Sequence, residues 1–592
     1  MNSLGNSFVQ WDDPGLIIQN QQIRSLEWSN IKEIFSLRRA STYQPIRVFS
    51  YAIDYRFWKL NPVGYHITNM ALYLLTCIMI FFATKELVGF LREERTDECT
   101  TRIAFFTAIL FSVHPVHVEA VTWLSARKEV LLGFFFFSSF YLYLRATRTR
   151  ERKARIGFHG LAFVCFLLAV LSKPVAVVLP GIVLLFELYR GRIRMGQPLT
   201  KALWFSPMLV VSLVGIYVLI KAIVEADGIY PYRGGDFISN FLLAFYVFVL
   251  NLKLLATTVN YSPVYVLPLQ DSIIGMRILI FVLANTGLLA FAVLIYRRSK
   301  MISFAVFWFY VTILPFSNII PISTFLADRY VFVASFAYAL VIALGLERLW
   351  SIRLKDLSKD FFPSLALAIL IALSIGYGYM TVNQNRVWRD TFTLWSEALA
   401  KNPRNTVAMN GLGVVYLENR MNEEAFDILK KALEINPLDP LVHTNLGIVC
   451  ERMGKHTQSE YHYLRALSLR PGHYEAQINL SNLRAKRGDF ETAIHILQAL
   501  LAERPNDAML HYRLGIVYED AGRLTRAIKH YEKSMELKPH IMNPYESLGR
   551  LYMEKLGDRD RALHFFRKGL ETAPHSRRVR DIERLVKRLE NS

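Results

Sequence analysis

The sequence predicts an all-α chain in two parts, a polytopic helical membrane domain followed by a superhelix of short helical repeats. Three observations carry this. Apolar residues make up 53% of the 592, and they concentrate before about residue 382 in runs such as Phe134–Tyr143. Runs of roughly 20 apolar residues can cross the hydrocarbon of a bilayer. From about residue 383 onward the composition is that of ordinary water-facing helices, and small residues recur there every 34 positions.

The membrane part is expected to hold eleven apolar segments, at 67–84, 103–122, 129–145, 157–171, 174–189, 203–223, 238–257, 276–296, 302–320, 330–349 and 362–382. The net charge of +20 raises the question of nucleic acid, but the location of the charge excludes that class. Arg145, Arg148, Arg150, Arg152, Lys153 and Arg155 lie between two apolar segments. Arg190, Arg192, Arg194 and Lys201 lie between two more, and Arg297, Arg298 and Lys300 form a third cluster. Short basic links of this kind mark cytoplasmic loops. Counting outward from them places residues 1–66, the link His114–Glu129 and everything after 382 outside the cytoplasm. Three segments lie between the second and third clusters, where an even number is needed. The segment 238–257, which carries Asn251 and Lys253, is therefore expected to be re-entrant or a partial crossing. The same counting expects a further apolar helix upstream of Met1. Gln21–Ser36, with Ile23, Leu26, Ile31, Ile34 and Phe35 near a helical period, fits an interfacial helix or a plain surface helix. The cysteines, Cys77, Cys99, Cys165 and Cys450, show no metal or disulfide spacing.

In the last third, Gly413, Gly447, Ser481, Gly515 and Gly549 are spaced by 34, as are Ala425, Ser459, Ala493 and Ala527. Ala562 follows after one extra residue, and Pro437, Pro471, Pro505, Pro539 and Pro574 close the units. A small residue where paired helices touch, with a proline ending the second helix, is the tetratricopeptide signature. The expected layout is a first extracytoplasmic loop over 1–66, a transmembrane domain over 67–382 and a junction with a partial repeat over 383–403. Five tetratricopeptide repeats over 404–576 and a charged capping helix over 577–592 complete it. Such arrays hold extended peptides or partner proteins, and they also serve as spacers or oligomerisation arms.

Three polar constellations fall on the outer side: Trp11-Asp-Asp-Pro14, His114–Glu129, and Phe325-Leu-Ala-Asp-Arg-Tyr330. Ionisable residues at membrane depth are costly and are usually paired or functional. Sugar transfer from a lipid phosphate to a hydroxyl needs a carboxylate base for the weakly nucleophilic alcohol. It also needs cations for the leaving phosphate. Asp12 or Asp13 is the base candidate. Arg127, Lys128, Arg329, His114, His117 and Arg47 are candidates for the phosphate, with Glu119, Glu129 and Asp328 in support. Each also has a structural reading. Asp12-Asp13-Pro14 alone is a turn, the two histidines are interface residues, Arg127-Lys128 is a topological anchor, and Asp328-Arg329 is an ion pair at a helix end. No third ligand accompanies His114 and His117, which argues against zinc. Two adjacent carboxylates could hold a divalent cation.

Trp11-Asp-Asp-Pro-Gly-Leu-Ile17, Asn61-Pro-Val-Gly-Tyr-His-Ile-Thr-Asn69, His114-Pro-Val-His-Val-Glu119, Leu314-Pro-Phe-Ser-Asn318 and Asp328-Arg-Tyr330 together resemble the transmembrane and tetratricopeptide-repeat O-mannosyltransferases and their prokaryotic relatives. These belong to the GT-C class of polyprenyl-phosphate-sugar glycosyltransferases. The resemblance runs from Phe8 to the final repeats, with the motifs in order. It implies a GT-C-like membrane domain and an acidic pair in the first outer loop, at Asp12 and Asp13. It also implies a dolichyl- or undecaprenyl-phosphate donor, with mannose the expected sugar, and a Ser or Thr acceptor. The family's Tyr-Arg-Pro is Tyr43-Gln44-Pro45 here, and Arg47, three residues on, is the candidate replacement cation. The family's Glu before the late Arg is Asp328. The reading is an inverting membrane glycosyltransferase of the bacterial inner membrane or endoplasmic reticulum, acting outside the cytoplasm, with repeats that bind a protein acceptor. Its alternatives are the same enzyme acting on a lipid or polysaccharide, or a non-catalytic envelope scaffold.

Overall fold

The computed structural model describes residues 2–36, 43–91, 96–191, 206–225, 236–258, 260–266, 274–322, 324–354, 357–573 and 578–591. Arg192, Arg194, Lys201, Pro574, Arg577 and part of the doubtful region 224–275 lie outside these residues. Among the described residues every regular element is helical, and the chain divides into two units after Pro403.

Among the described residues of the first unit, six helices are long and apolar enough to cross a membrane, or seven if one bent pair counts as a single span. The other expected segments form shorter helices, among them Pro174–Tyr189 and Lys300–Phe316. Prolines mark several of the breaks, because a proline removes a donor and clashes with the preceding turn. The segment expected to be re-entrant is instead one unbroken helix, Phe237–Thr257. Its Asn251 amide group donates to the Val247 carbonyl (2.8 Å), so the N–H is met without a break in the helix, while its Oδ1 is buried without a partner.

The long helix Pro62–Leu91 packs against Asp97–Val113 and Arg127–Arg148, and the latter packs against Arg152–Ser172. The Phe134–Phe137 run supplies the centre. The Phe137 ring stacks on Trp308 (centroids 5.9 Å), which contacts Phe336 (4.6 Å). At one end of the bundle the basic link is anchored by a buried carboxylate, as Arg145 and Arg148 both reach Glu86 (2.9 and 2.8 Å).

The break that matters for function is at His114. The helix Asp97–Val113 ends there, Pro115 starts the next turn, and the two halves meet at 53°. The segment from His114 to Ala126 therefore folds back as short turns, almost all buried. The N-terminal segment lies along residues 382–391. Asn2 donates to the Val382 carbonyl (2.9 Å), Ser7 N–H to the Arg389 carbonyl (2.9 Å), and Gln10 N–H to Thr391 Oγ1 (2.9 Å). In the segment 21–36, Ile23 and Ile34 are buried with Tyr51 and Tyr65, while Trp28 is exposed.

The second unit is five helix pairs, from Thr406–Glu418 with Asn422–Ile435 to Met542–Glu554 with Arg559–Thr572, followed by Val579–Asn591. The small residue of each unit faces the second helix of its own pair. A Cβ on Gly447, Gly515 or Gly549 would lie 2.5 Å from the ring of Tyr463, Tyr531 or Phe566. Ser481, the non-glycine in the series, falls in the repeat where the position 34 after Tyr463 is Leu497 rather than an aromatic ring. The turns within the pairs use Gly454, Gly488 and Gly522 at φ of 74°, 82° and 74°, a region that costs a side chain roughly 1–2 kcal/mol. The last helix buries Ile582 and Val586 against the fifth pair, packs Val579, Leu585 and Leu589 beside them and turns its charged residues outward, as a terminal cap requires.

Gly447→Ala should cost roughly 1–3 kcal/mol by overpacking against Tyr463, whereas Gly472→Ala, with nothing within 4 Å of its Cβ position, should be nearly neutral. Hydrogen exchange across residues 440–470 checks this. Equal protection in the two variants would contradict the packing argument.

Candidate active site

The two adjacent carboxylates have opposite environments. Asp13 is fully buried. One oxygen accepts from the Val9 N–H (2.8 Å), and the other accepts from both the N–H (3.0 Å) and the hydroxyl of Ser125. Burial pushes its carboxyl up to about 6, against the opposing pull of the Ser125 and Val9 hydrogen bonds. Asp13 therefore ties the loop 8–15 to the turn that precedes the helix Arg127–Arg148. The tie continues through stacked indoles. Trp11 stacks on Trp123 (4.9 Å) and contacts Trp395 (5.1 Å), and Trp123 stacks on Trp388 (5.6 Å).

Asp12 is only half-buried, and among the described residues its carboxylate accepts no hydrogen bond. It acts electrostatically on Arg47, as do Tyr51 and Glu129. Arg47 is buried and its Nε has no hydrogen-bond partner. Burial lowers the basicity of this guanidinium, and the neighbouring Tyr51, Asp12 and Glu129 partly restore it. Lys128 is half-buried and makes no ion pair or hydrogen bond among the described residues. Its charged neighbours are Glu129, Arg47, Lys173 and Arg329. Arg47 and Lys128 thus have bonding capacity to spare, and Arg47 is also within electrostatic reach of the Asp12 carboxylate.

Next to them is a narrow recess with an enclosed volume of about 10 Å³, whose polar lining is Glu129, Lys173 and Arg329. That volume admits about one water. Lys173 donates to both oxygens of Glu129 (2.7 and 2.8 Å) and lies over the Phe316 ring (4.6 Å). Phe316 in turn stacks on Tyr330 (4.2 Å). Arg329 is held by Glu119 through its guanidinium and, at 2.9 Å, through its backbone N–H, and it lies over Trp123 (5.3 Å). Asp328 accepts from the Tyr265 hydroxyl (2.5 Å). Burial, and then the Glu119 carboxylate, raise its carboxyl well above the usual range.

Three candidates do not join this cluster. Arg127 is completely buried, ion-paired to Asp54, and donates to Asn69 Oδ1 (2.7 Å) and the Tyr65 carbonyl (2.8 Å). It also lies over the Tyr51 ring (4.7 Å). Its donors clamp three parts of the fold and leave nothing for a phosphate. His117 is buried between the Tyr73 hydroxyl (2.7 Å) and Ser335 Oγ (2.8 Å). His114 bonds the Leu255 carbonyl (3.1 Å) and accepts from the Val116 N–H (3.2 Å). Both rings are satisfied core groups. Among the described residues no three His, Cys, Asp or Glu side chains are grouped to hold a metal ion. The engagement of both Asp13 oxygens does not suit a cation shared by the acidic pair.

Sequence reasoning missed Lys173 and the four tryptophans. Lys173 had a signal, since Ser172-Lys173-Pro174 is a lone cation between two apolar segments at the outer side of the expected topology, where an ionisable group calls for a partner or a role. The Trp11–Trp123–Trp388–Trp395 stack had none, because its members are far apart in the chain.

The sign of the Asp13 shift gives a test. The folded-state value of about 6 lies above the ordinary 3.8, so folding favours the protonated carboxyl. The associated stabilisation is complete below about pH 4 and is lost as the pH rises through about 6, by roughly 3 kcal/mol in all. The fall in thermal midpoint between pH 4 and pH 7 should therefore be smaller in Asp13→Asn, which has no carboxyl to titrate, although its amide oxygen replaces only one of the two accepting oxygens. Identical falls in variant and parent would exclude Asp13 as the source.

Family models for the tetratricopeptide repeat match residues 478–540 and 543–576, and a model for the coatomer epsilon subunit matches 380–498. The human protein O-mannosyl-transferase TMTC3 is 24% identical, over 97% of this chain and 66% of its own length. The mouse protein of that name is also 24% identical, over 93% and 64%. The fly protein is 24% identical, over 80% and 58%. The chain thus spans less than two thirds of the length of these curated relatives. Among solved structures, MamA from Desulfovibrio magneticus RS-1 is 25% identical with a TM-score of 0.26, over 28% of this chain and 94% of that one. PilW is 20% identical with a TM-score of 0.29, over 36% and 95%. Over almost its whole length, the chain resembles the transmembrane and tetratricopeptide-repeat O-mannosyl-transferases.

Proposed function

We propose that this protein is a membrane glycosyltransferase that moves a sugar, mannose by family resemblance, from a polyprenyl-phosphate donor to Ser or Thr hydroxyls of a protein. The transfer takes place outside the cytoplasm and inverts the anomeric centre. Support for the reaction class comes from the relatives named O-mannosyl-transferases. Support for the chemistry comes from one observation, the unpartnered Asp12 carboxylate set against Arg47, a buried cation with an unused donor.

The steps follow from these residues. Asp12 takes the proton of the acceptor hydroxyl as its oxygen attacks the anomeric carbon. The bond from that carbon to the phosphate oxygen breaks, and the polyprenyl phosphate leaves with the bonding pair. Arg47 and Lys128 hold the charge that grows on the phosphate. Preorganised cations in a water-poor site are worth more than in water, because no solvent reorganises at the moment of reaction. Lys173 and Arg329, ion-paired to Glu129 and Glu119, frame the recess with their charges balanced. Asp13 does not touch the reacting atoms. It positions Asp12 by fixing the loop. No step calls for a metal ion.

Asp12→Asn should reduce transfer to a Ser- or Thr-containing acceptor by roughly 10²–10⁴-fold, the usual worth of a positioned base. Asp13→Asn, which keeps one of the two accepting oxygens and sets its amide group against a donor, should lose stability but less activity than Asp12→Asn. Lys128→Ala should raise the donor KM more than it lowers kcat if its contact is already made in the ground state. These are measured with a polyprenyl-phosphate mannose donor in detergent. Equal losses in the Asp12 and Asp13 variants would remove the distinction between base and anchor.

A further inference from the structure

One helix is bonded both to the acidic loop and to the segment that reaches Arg329. By sequence, Thr391–Lys401 belongs with the repeats as half of a partial unit, yet it lies in the first unit. Asp390 caps its start by accepting from the Thr393 N–H (2.8 Å). Its 11 residues form a rod whose ends are about 15 Å apart.

The start of the rod holds the acidic loop. The Gln10 N–H donates to Thr391 Oγ1 (2.9 Å). The N–H and the hydroxyl of Ser7 both donate to the Arg389 carbonyl, just before the helix (2.9 and 3.2 Å). One turn on, the buried Trp395 meets Trp11 (5.1 Å), the residue before Asp12.

The end of the rod holds a second loop. Lys401 Nζ donates to the Tyr261 carbonyl (2.6 Å), and the charged groups within its reach are Glu397 and Asp328. The Tyr261 loop itself runs to Asp328. The Ser262 N–H donates to the Tyr265 hydroxyl (3.1 Å), which donates to Asp328 (2.5 Å). The next residue, Arg329, lines the recess. This loop starts in a strained backbone, with Thr258 and Asn260 at φ of 49° and 61°. A branched side chain rarely adopts such values, and a backbone so placed persists only where its surroundings hold it. The Tyr261 hydroxyl holds the loop from within, on the Leu254 carbonyl (2.9 Å). Lys401 holds it from outside.

We infer that Thr391–Lys401 is a positioning strut for sugar transfer, with Thr391 and Lys401 at its two ends setting Asp12 against the recess at Arg329. The reaction it serves rests on the transferase reading above, whereas the mechanical link between the two loops does not. Both end residues act through the loops they hold. A misplacement of about 1 Å can cost about a hundredfold in rate, so the strut acts on kcat more than on donor binding.

The test uses the full chain in detergent, a polyprenyl-phosphate mannose donor and a Thr-containing peptide. Lys401→Met should lower kcat by about tenfold or more and leave the donor KM within about twofold. Lys401→Arg, which keeps the donor and the charge, should restore most of the loss. Thr391→Val removes the acceptor at the other end. Because one rod carries both effects, the double variant should lose no more than the worse single variant. Hydrogen exchange gives a readout independent of transfer. Lys401→Met should raise exchange at residues 7–13 as well as at 260–266, with the repeats unchanged. Exchange raised at 260–266 alone would overturn the strut. So would losses that multiply in the double variant, or equal losses in the Met and Arg variants. If the parent transfers no sugar, the transferase reading fails, and the exchange pattern still decides the strut.

Discussion

An irregular, buried stretch of backbone, His114–Ala126, sets the terms for the rest of the first unit. Where neither water nor a regular helix is available, each peptide group must find its partner inside the protein. Here the partners are side chains drawn from across the unit. Thr381 donates to the Val113 carbonyl (2.9 Å), Asn69 to that of Val121 (2.9 Å), and Tyr51 to that of Leu124 (2.7 Å), while Asp13 accepts from the Ser125 N–H (3.0 Å). Each bond that satisfies the turn also fastens a distant element to it. The helix Pro45–Trp58, the helix Pro62–Leu91, the helix Phe361–Val387 and the acidic loop converge on one place because the broken helix leaves polar groups there.

The same constraint separates the two acidic residues. A carboxylate that closes a buried turn has its lone pairs committed, and one that projects from the turn does not. Asp13 takes the first role and its neighbour the second, although nothing in the dipeptide distinguishes them. The Trp11–Trp123 stack (4.9 Å) lies next to the pair and helps to hold the loop in this arrangement. An offset aromatic pair of this kind is worth roughly 0.5–1.5 kcal/mol beyond its burial, enough to bias one loop conformation over its alternative.

Legibility in the sequence followed the range of the interaction. The repeats were legible because Gly447 and Tyr463 belong to one 34-residue unit, and a period can be counted. The membrane helices were legible as apolar runs, except that Asn251 suggested a break which a local carbonyl makes unnecessary. The acidic pair, Arg47, Lys128, Glu129 and Arg329 could be singled out by residue type and side. Their division into free and engaged groups could not, since it depends on pairs such as Asp13 with Ser125 and Arg329 with Glu119, 112 and 210 residues apart. Lys173 was passed over because its partner Glu129 lies 44 residues away on another helix.

Arg127 shows why residue type alone misleads. By type and position it suits a phosphate better than Lys128 does, since its planar fork of donors matches an oxyanion. That same fork also suits it to joining protein elements, and it is consumed by Asp54, Asn69 and the Tyr65 carbonyl. An arginine so engaged could turn to a substrate only by leaving buried acceptors unpaired, at a cost of about 1–3 kcal/mol for each. Lys128, beside it in sequence, carries no such debt. In a site where nearly every charge is already paired, the cations whose bonding capacity folding has left unused are Arg47 and Lys128.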